Sequence, residues 1–582
     1  MTDLKSNSVM PSPNRPPLYN RVTEALYRHR ILLSLIMFAF LLRIWGIWNA
    51  DSTDEYNEVF EALRVCSGHL NYERWFKRFY LYILSCEYGG YYGLGRLFHQ
   101  FSSPSDFAAK IIRDLTPLFL IGRITSAVMG TISIFMTYRI GSSLYNKNVG
   151  LVAALFLCFN VVNIELSHYA RVDATLCAVV LISFYFIVKI FQGGNLQSLK
   201  YYALAGLFMG IAFQNKIPSV ILFVPFMFAH LATAELKLSF STVLNRKTAC
   251  FAVLFLVGII IGNPAIVLAP LKFVNGMIST GAAFTTPINE TKSHYIGYLE
   301  YLFYFYKELG LPLTLLAVFS VWNAVVSKSR EDILLLSFIV PFYGLMGASR
   351  YMVGYSYMIP LMPFLYILCS RYLFEGIGRL EQSISQKVLI VGMALLLIMP
   401  IMNVSKLIAS FSAGNTRYLA KIWIEANIPF GSRILMDSGK TINSTAPLIA
   451  QNRESLLQSM ESIEESLERG TLADSTKMVD KNAVTYYKML LETVPRESYY
   501  LTSTKFGLDL KSIDYYREKG YQYFVISENM KQSRTDEYFT QRYPQVAKFY
   551  SSLDTDSRIR LIQVIAPSVI SSGDTFYIYQ VL

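Results

Sequence analysis

The chain has 582 residues, of which 53% are hydrophobic and only 16% are charged, and its mean hydropathy is +0.35. These values exclude a set of ordinary soluble domains, a disordered chain and a small disulfide-rich scaffold, and they are typical of a polytopic membrane protein. The formal net charge of +12 belongs entirely to the first 411 residues, because residues 412–582 carry 20 basic and 20 acidic side chains. A basic excess in short loops between apolar runs sets orientation in a membrane, so it does not indicate a nucleic-acid partner.

Eleven apolar runs are candidate membrane-spanning helices. The first, residues 31–48, follows a basic segment, is longer than a signal-peptide core and lacks a small-residue cleavage pattern, so we predict an uncleaved span with a cytoplasmic N-terminus. The other ten lie at about 117–140, 149–166, 173–192, 201–216, 218–234, 249–269, 300–326, 333–348, 355–373 and 388–408.

The distribution of basic residues agrees with this topology. The loops that it places in the cytoplasm contain Arg139, Lys147, Lys189, Lys200, Lys237, Arg246, Lys247, Lys328, Arg330, Arg371, Arg379 and Lys387. Cytoplasmic loops of membrane proteins are enriched in Lys and Arg, so the pattern fits. An odd number of spans then puts the chain after residue 411 on the extracytoplasmic side.

Three regions outside the spans are predicted on that outer side. The first loop, residues 51–116, contains amphipathic stretches such as 75–101 that we expect to lie as helices in the membrane interface. A second, polar loop covers about 271–299. The third region is the tail, residues 412–582, where charge rises and β-rich runs (433–436, 521–527 and 576–581) alternate with helical patterns such as 453–467. The tail is therefore predicted to be a soluble α/β domain.

Charged and polar side chains gather at the outer ends of the predicted spans. They are Asp54, Glu55, Asp173, Lys216, Asn263, His294 and Arg350. Each alone has an ordinary explanation, as a solvated acidic pair, a snorkelling anchor or a loop histidine. Together they place carboxylates beside cations at the boundary of water and lipid. A carboxylate can accept a hydroxyl proton while Lys and Arg neutralise a phosphate leaving group, so the set suits sugar transfer from a lipid phosphate to a hydroxyl.

The order of these motifs resembles the GT-C glycosyltransferases of the protein O-mannosyltransferase and aminoarabinose transferase type, over about residues 30–405. The motifs are Thr53-Asp54-Glu55-Tyr56, Gly122–Gly130, Val149–Ala154, Ser167–Asp173, Gly206–Lys216, and Arg350-Tyr351 followed by Pro360–Pro363. The resemblance implies a membrane catalytic domain, residues 1–411, that takes a sugar from a polyprenyl-phosphate donor and inverts its anomeric centre. The acceptor stays open between a protein, a lipid and a glycan.

Site roles are also carried over from the resemblance. It implies that Asp54 is the general base, with Glu55 as the neighbouring alternative, and that Asp173 supports the site. The candidates for the donor phosphate are Lys216, Arg350 and Arg123, and those for acceptor or loop contacts are His294, Arg171 and Tyr351. A lipid phosphate is a good leaving group, so the reaction needs no dedicated general acid. No cofactor is indicated with certainty; a divalent metal ion could assist, with Glu55 and His294 as its candidate ligands.

Two other functions fit the same composition. A transporter or flippase of a lipid-linked sugar would use these charges to bind substrate, but such proteins commonly show two related halves, and none is evident here. A non-catalytic scaffold would leave the motif order unexplained. We therefore expect a transferase embedded in the bilayer, most simply in the inner membrane of a bacterium.

Topology gives the first testable prediction. The tail has no cysteine of its own, and Cys66 and Cys86 of the predicted outer loop can be replaced by serine. In that background, a cysteine introduced at an exposed position of the tail should react with a membrane-impermeant thiol reagent in intact cells. Labelling of that cysteine only after the membrane is opened would place the tail in the cytoplasm and contradict the odd span count.

Overall fold

A computed structural model gives the architecture of the chain. It describes residues 30–582 except 51, 69–77, 194–197, 234–238, 284–296, 350–353, 379–381, 438–445, 469–483, 485–486, 489, 493, 505–506, 536, 569–570 and 572. Most of the chain up to residue 413 is helical, and a mixed five-stranded sheet follows.

The described helices up to residue 413 are numbered α1 to α17. They are Arg30–Ile44, Thr53–Cys66, Arg78–Leu97, Pro104–Arg113, Thr116–Leu144, Lys147–Cys158, Val161–Ser167, Val172–Phe191, Ser198–Asn215, Phe223–Ala232, Phe240–Val243, Arg246–Gly262, Pro270–Ala283, Gly297–Ser327, Arg330–Gly347, Met362–Ile377 and Gln382–Ala413. Short 3₁₀ helices lie at Ile47–Asn49, Ile217–Leu222, Pro264–Val267 and Tyr355–Met358.

Every predicted span coincides with one or two of these helices. Five helical segments among the described residues are long and apolar enough to cross a membrane, and a sixth counts if α6 and α7, which meet at a 63° bend, form one span. Several others, such as α12 with 17 residues and α16 with 16, are apolar but short. The membrane-spanning character is thus confirmed, whereas the total of eleven spans stays a prediction.

Helices α9 and α12 pack at unusually close range because glycines face each other. A Cβ atom added to Gly206 would lie 2.3 Å from the carbonyl oxygen of Phe251, and one added to Gly210 would lie 2.2 Å from that of Phe255. Small residues let helix backbones approach in this way. The approach fixes the end of α9, which Lys216 directly follows.

Helices α2, α3 and α4 form a separate layer from the predicted outer loop. Helix α4 begins where the sequence supplies a cap: the Ser103 hydroxyl accepts the backbone N–H of Asp106, and Pro104 occupies the first turn. Buried aromatic and aliphatic side chains, including Tyr80 and Tyr88, join this layer to the start of α5. The layer therefore holds the N-terminus of α2 against α5.

The C-terminal domain contains five strands, β1 to β5. They are Arg433–Met436, Tyr500–Ser503, Tyr523–Ser527, Ile559–Ile565 and Phe576–Val581. In the order β2-β1-β3-β5-β4, β1 is parallel to β2 and β3, while β5 is antiparallel to β3 and β4. The described helices of this domain, α18 to α23, are Thr416–Asn427, Arg453–Glu468, Ile513–Glu518, Glu528–Arg534, Glu537–Arg542 and Pro544–Ser552. A small sheet at the C-terminus is as predicted; β2 and β4 were not predicted.

The end of the first span and the end of α17 meet at close range. Gly46, with φ 72°, lies so near this helix that an added Cβ would sit 2.8 Å from Phe411 Cβ and from its carbonyl oxygen. A side chain at this position would also strain a left-handed backbone. Glycine is required here because the end of the first span touches the last turn of α17, directly before the C-terminal domain.

The Asp437 carboxylate is buried in the C-terminal domain. The Asp437 carboxylate follows β1 and accepts the Ser527 N–H at 3.0 and 3.2 Å and the Tyr550 hydroxyl at 3.3 Å. Burial raises the pKa of Asp437 from 3.8 to about 8, because desolvation outweighs these hydrogen bonds.

The raised pKa of Asp437 predicts a pH-dependent stability of this domain. In the folded state Asp437 keeps its proton up to about pH 8, whereas in the unfolded state it loses the proton near pH 3.8. The stability that this group contributes is therefore greatest below pH 3.8 and is lost as the pH rises toward 8. Asp437→Asn cannot ionise and should flatten this fall. Hydrogen exchange of β1 and β3 in the full-length protein between pH 5 and 8 measures it, and identical pH profiles for both proteins would contradict the assignment.

Candidate active site

Two adjacent carboxylates open helix α2 and face different surroundings. Ser52 is the N-cap in an extended conformation, so Asp54 and Glu55 lie in the first turn, where the helix dipole favours negative charge. Neighbouring side chains on a helix point about 100° apart. The Asp54 side chain is 54% exposed, whereas that of Glu55 is fully buried.

Glu55 is held by a buried ion pair with Arg123 of α5. Arg123 Nη2 lies 2.7 Å from Glu55 Oε2, and Arg123 Nε donates to both carboxylate oxygens at 3.2 Å. The backbone N–H of Ala170 donates to Oε1 at 2.9 Å, and Arg123 Nη1 donates to the carbonyl of Ile47 at 3.0 Å. The ion pair and its hydrogen bonds therefore connect four segments: the end of the first span, α2, α5 and the turn before α8.

Asp54 belongs to a row of alternating charges. The row consists of Asp54, Arg171, Asp173 and Lys216, and we call it the charge row. Arg171 Nη1 lies 3.2 Å from Asp54 Oδ2, and Arg171 Nε lies 3.2 Å from Asp173 Oδ2. Lys216 Nζ lies 2.5 Å from Asp173 Oδ1 and 4.7 Å from the centre of the Tyr357 ring. The row runs from the exposed Asp54 to the buried Asp173.

Local sequence explains how these side chains meet. Arg171 is the extended residue before α8, and Asp173 lies in the first turn of that helix, where a carboxylate is favoured. Lys216 is extended between α9 and the 3₁₀ helix that starts at Ile217, because Pro218 lacks the backbone N–H needed to continue α9 and instead occupies the first turn of the next helix. Three turns at one level of the bundle therefore contribute to the charge row.

Two spaces lie in this part of the molecule. A small apolar slot of about 10 Å³ includes Lys216 and is lined by Leu176, Val180, Pro218, Phe342 and Met346. A much larger cavity of about 1020 Å³ lies between the membrane and C-terminal domains. Its walls include Trp48, Asn49, Tyr56, Phe119 and Arg123 from the membrane domain, and Arg417, Tyr418, Lys421, Met436 and Leu501 from the C-terminal domain. Of the charge row, only Lys216 lines either of these spaces, whereas Arg123 of the buried ion pair lines the large cavity.

The structure describes six of the nine site residues that the sequence singled out. Asp54, Arg171, Asp173 and Lys216 lie together in the charge row, and Glu55 and Arg123 pair with each other. The remaining three, His294, Arg350 and Tyr351, lie outside the described residues.

A metal ion does not fit the described candidate ligand. Both oxygens of Glu55 already accept hydrogen bonds from Arg123, and one also accepts the Ala170 N–H. Within the part of the chain that the structure describes, no group of three or more His, Cys, Asp or Glu side chains is arranged to hold a metal ion.

Tyr357 is a contact of the charge row that the sequence did not point to. Its ring covers the Lys216 ammonium, an arrangement that stabilises a cation electrostatically. The available signal was a pair of tyrosines, Tyr355 and Tyr357, close after the predicted outer turn at Arg350. Tyrosines at this depth are also typical membrane anchors, so the pattern alone does not separate the two roles.

Comparison with known proteins agrees with this architecture. Residues 115–262 match the sequence profile of the dolichyl-phosphate-mannose-protein mannosyltransferase family. The apo structure of ArnT from Cupriavidus metallidurans is similar with a TM-score of 0.50 at 11% identity, over 96% of this chain and 98% of that chain. A comparison with curated protein sequences gave no match.

Two further solved structures are similar at slightly lower scores. ArnT from the same organism bound to undecaprenyl phosphate has a TM-score of 0.49 at 12% identity, over 95% of this chain and 98% of that chain. The oligosaccharyltransferase AglB from Archaeoglobus fulgidus, in complex with an inhibitory peptide and a dolichol-phosphate, has a TM-score of 0.46 at 10% identity, over 91% and 72%.

The chain is therefore an integral membrane protein with the GT-C fold. Its segment 115–262, which includes Arg123, Arg171, Asp173 and Lys216, is similar to the dolichyl-phosphate-mannose-protein mannosyltransferase family. The resemblance to GT-C glycosyltransferases that the sequence motifs indicated is confirmed for the fold and for this segment.

The buried ion pair predicts a strong effect on stability. Arg123→Met leaves the Glu55 carboxylate buried without its cation and should destabilise the protein by about 3–5 kcal/mol. Arg139→Met on the same helix is the matched control: Arg139 donates to the Tyr185 hydroxyl at an exposed position, so its loss should cost less than about 1 kcal/mol. Thermal unfolding in detergent measures both, and similar losses would contradict a structural role of the pair.

Proposed function

We propose that this protein is an inverting glycosyltransferase that moves a sugar from a polyprenyl-phosphate donor to a hydroxyl of an acceptor on the extracytoplasmic face. The observation that carries the proposal is the charge row, in which one exposed carboxylate, Asp54, sits at the end of a set of paired charges. The matched family is named for a dolichyl-phosphate-mannose donor, which supports a lipid-linked sugar.

The chemistry needs a single displacement at the anomeric carbon. The acceptor oxygen forms a bond to this carbon while the bond to the phosphate oxygen breaks, and the phosphate leaves with the electron pair. Asp54 takes the hydroxyl proton, a role open to it because its carboxylate reaches solvent. Attack from the face opposite the leaving group inverts the configuration.

Glu55 is a poor candidate for the same role. Its carboxylate is fully buried and accepts hydrogen bonds from Arg123 and from the Ala170 N–H. Proton abstraction needs the base within hydrogen-bond reach of the acceptor hydroxyl. We therefore assign the base to Asp54 and a structural role to Glu55 and Arg123.

Lys216 is the described cation best placed for the donor phosphate. Its ammonium group borders a small apolar slot of about 10 Å³, so a cation and apolar side chains meet at one point, as a phosphate head group on a hydrocarbon chain requires. The two positive and two negative charges of the charge row sum to zero. Lys216 must therefore contact both Asp173 and the donor phosphate when the donor is bound. Arg171 stays between the two carboxylates and fixes their separation.

The sharpest test of this function is Asp54→Asn, which removes basicity and keeps size. Reconstituted protein receives radiolabelled polyprenyl-phosphate mannose, with proteins, membrane lipids and glycans supplied as separate acceptor pools. We expect label to enter one pool in the wild type, and Asp54→Asn to lower this rate by at least ~100-fold with donor binding retained. Asp114→Asn, at another exposed outer carboxylate, is the matched control and should transfer normally.

The same assay separates donor binding from chemistry. Lys216→Gln should weaken donor binding by about 10- to 100-fold, the scale of a charge-assisted hydrogen bond, whereas Lys200→Gln at the other end of α9 should not. Normal transfer by Asp54→Asn would contradict the assignment of Asp54 as the general base. Intact labelled lipid moved between leaflets, with no label in any acceptor pool, would indicate a transporter instead.

A further inference from the structure

The C-terminal domain reaches the first turn of α2 through one buried arginine. Arg417 lies in the first turn of α18 and is 7% exposed. Its Nε donates to the carbonyl of Ala446, and its guanidinium carbon lies 5.7 Å from the centre of the Tyr56 ring. Tyr56 is two residues after Asp54, so the arginine contacts the same helical turn from the side of the C-terminal domain.

Tyr56 connects Arg417 to the buried ion pair through a chain of side-chain contacts. Its ring packs edge-on against Phe119 at a centroid distance of 4.8 Å, and the Arg123 guanidinium lies 5.3 Å from the Phe119 ring centre. Arg123 in turn binds Glu55, the residue beside Asp54. The first turn of α2 is thus held from inside by Glu55 and from the cavity side by Tyr56.

The last residues of α17, which lead into the C-terminal domain, are hydrogen-bonded to the end of the first span. Trp45 Nε1 donates to Ser412 Oγ at 2.9 Å, and Asn49 Nδ2 donates to the carbonyls of Phe411 and Ser412 at 2.9 and 3.2 Å. The Phe411 ring also stacks on His168 at 4.1 Å, within the segment that leads to Arg171. The end of α17 therefore fixes where α18, and with it Arg417, meets α2.

We propose that Arg417 is a positioning residue for transfer: by holding Tyr56, it sets the orientation of the first turn of α2 and hence the place of the Asp54 carboxylate relative to Arg171. The C-terminal domain then contributes, through Arg417, to the geometry of the active site. This inference rests on the proposed function, because it assigns Arg417 an effect on the step that Asp54 performs.

The test uses the full-length protein and a cycle of variants. Arg417→Gln removes the cation and Tyr56→Leu removes the ring, while Arg417→Lys and Tyr56→Phe conserve them. The matched control is Arg433→Gln, because Arg433 covers the Tyr500 ring at 4.3 Å entirely within the C-terminal domain. Each variant is assayed for kcat and donor KM with radiolabelled polyprenyl-phosphate mannose and the acceptor pool that the wild type labels.

We expect Arg417→Gln and Tyr56→Leu each to lower kcat by about 2- to 30-fold, the range of one cation–π contact, with donor KM unchanged because the surroundings of Lys216 are intact. The double variant should be no slower than the slower single variant, since both remove the same contact. Arg417→Lys and Tyr56→Phe should recover most of kcat, and Arg433→Gln should match the wild type.

Wild-type kcat in both Arg417→Gln and Tyr56→Leu would overturn the inference, as would losses that multiply in the double variant. Equal losses in Arg417→Gln, Arg417→Lys and Arg433→Gln would show general destabilisation and overturn it too. These results differ from failure of the proposed function, which is seen as transfer retained by Asp54→Asn or as no transfer by the wild type.

Discussion

The buried ion pair between Glu55 and Arg123 is the constraint on which the active-site architecture depends. Removal of two charges from water is costly, and the cost is offset only when geometry and further hydrogen bonds are good. Here the carboxylate also accepts a backbone N–H and the guanidinium also donates to a backbone carbonyl. Because a displaced partner would leave an unpaired charge in a low-dielectric interior, the four segments that supply these groups have little freedom to separate.

This constraint separates the roles of two neighbouring carboxylates. Glu55 is turned inward and fixes α2, and the same helical geometry turns Asp54 toward solvent and Arg171. Chain neighbours at a helix N-terminus can therefore serve structure and chemistry at once. The pairing also ties α2 to α5 and α8, so the charge row draws on helices that are distant in sequence and adjacent in space.

The helical bundle could be predicted from sequence because long apolar runs leave few alternatives, and each predicted span contains a helix. The strands Arg433–Met436 and Phe576–Val581 were also predicted, since they are short and rich in apolar residues. Strand β4 was missed because its polar residues, Arg560 and Gln563, do not follow a two-residue alternation, which a β-bulge between Leu561 and Gln563 interrupts. The resemblance implied that Arg123 is a candidate for the donor phosphate, and the sequence does not show that Glu55, 68 residues earlier, is its partner in the structure.

The exposure gradient along the charge row has a consequence for the turnover cycle of the proposed transferase. A base that has taken a proton must lose it before the next acceptor arrives. Since Asp54, the proposed base, is open to water and Asp173 is buried, the proton can return directly to bulk solvent and needs no relay through the bundle. In the proposed reaction, deprotonation of Asp54 is then independent of the lipid side, and departure of the spent polyprenyl phosphate into the bilayer can proceed on its own timescale.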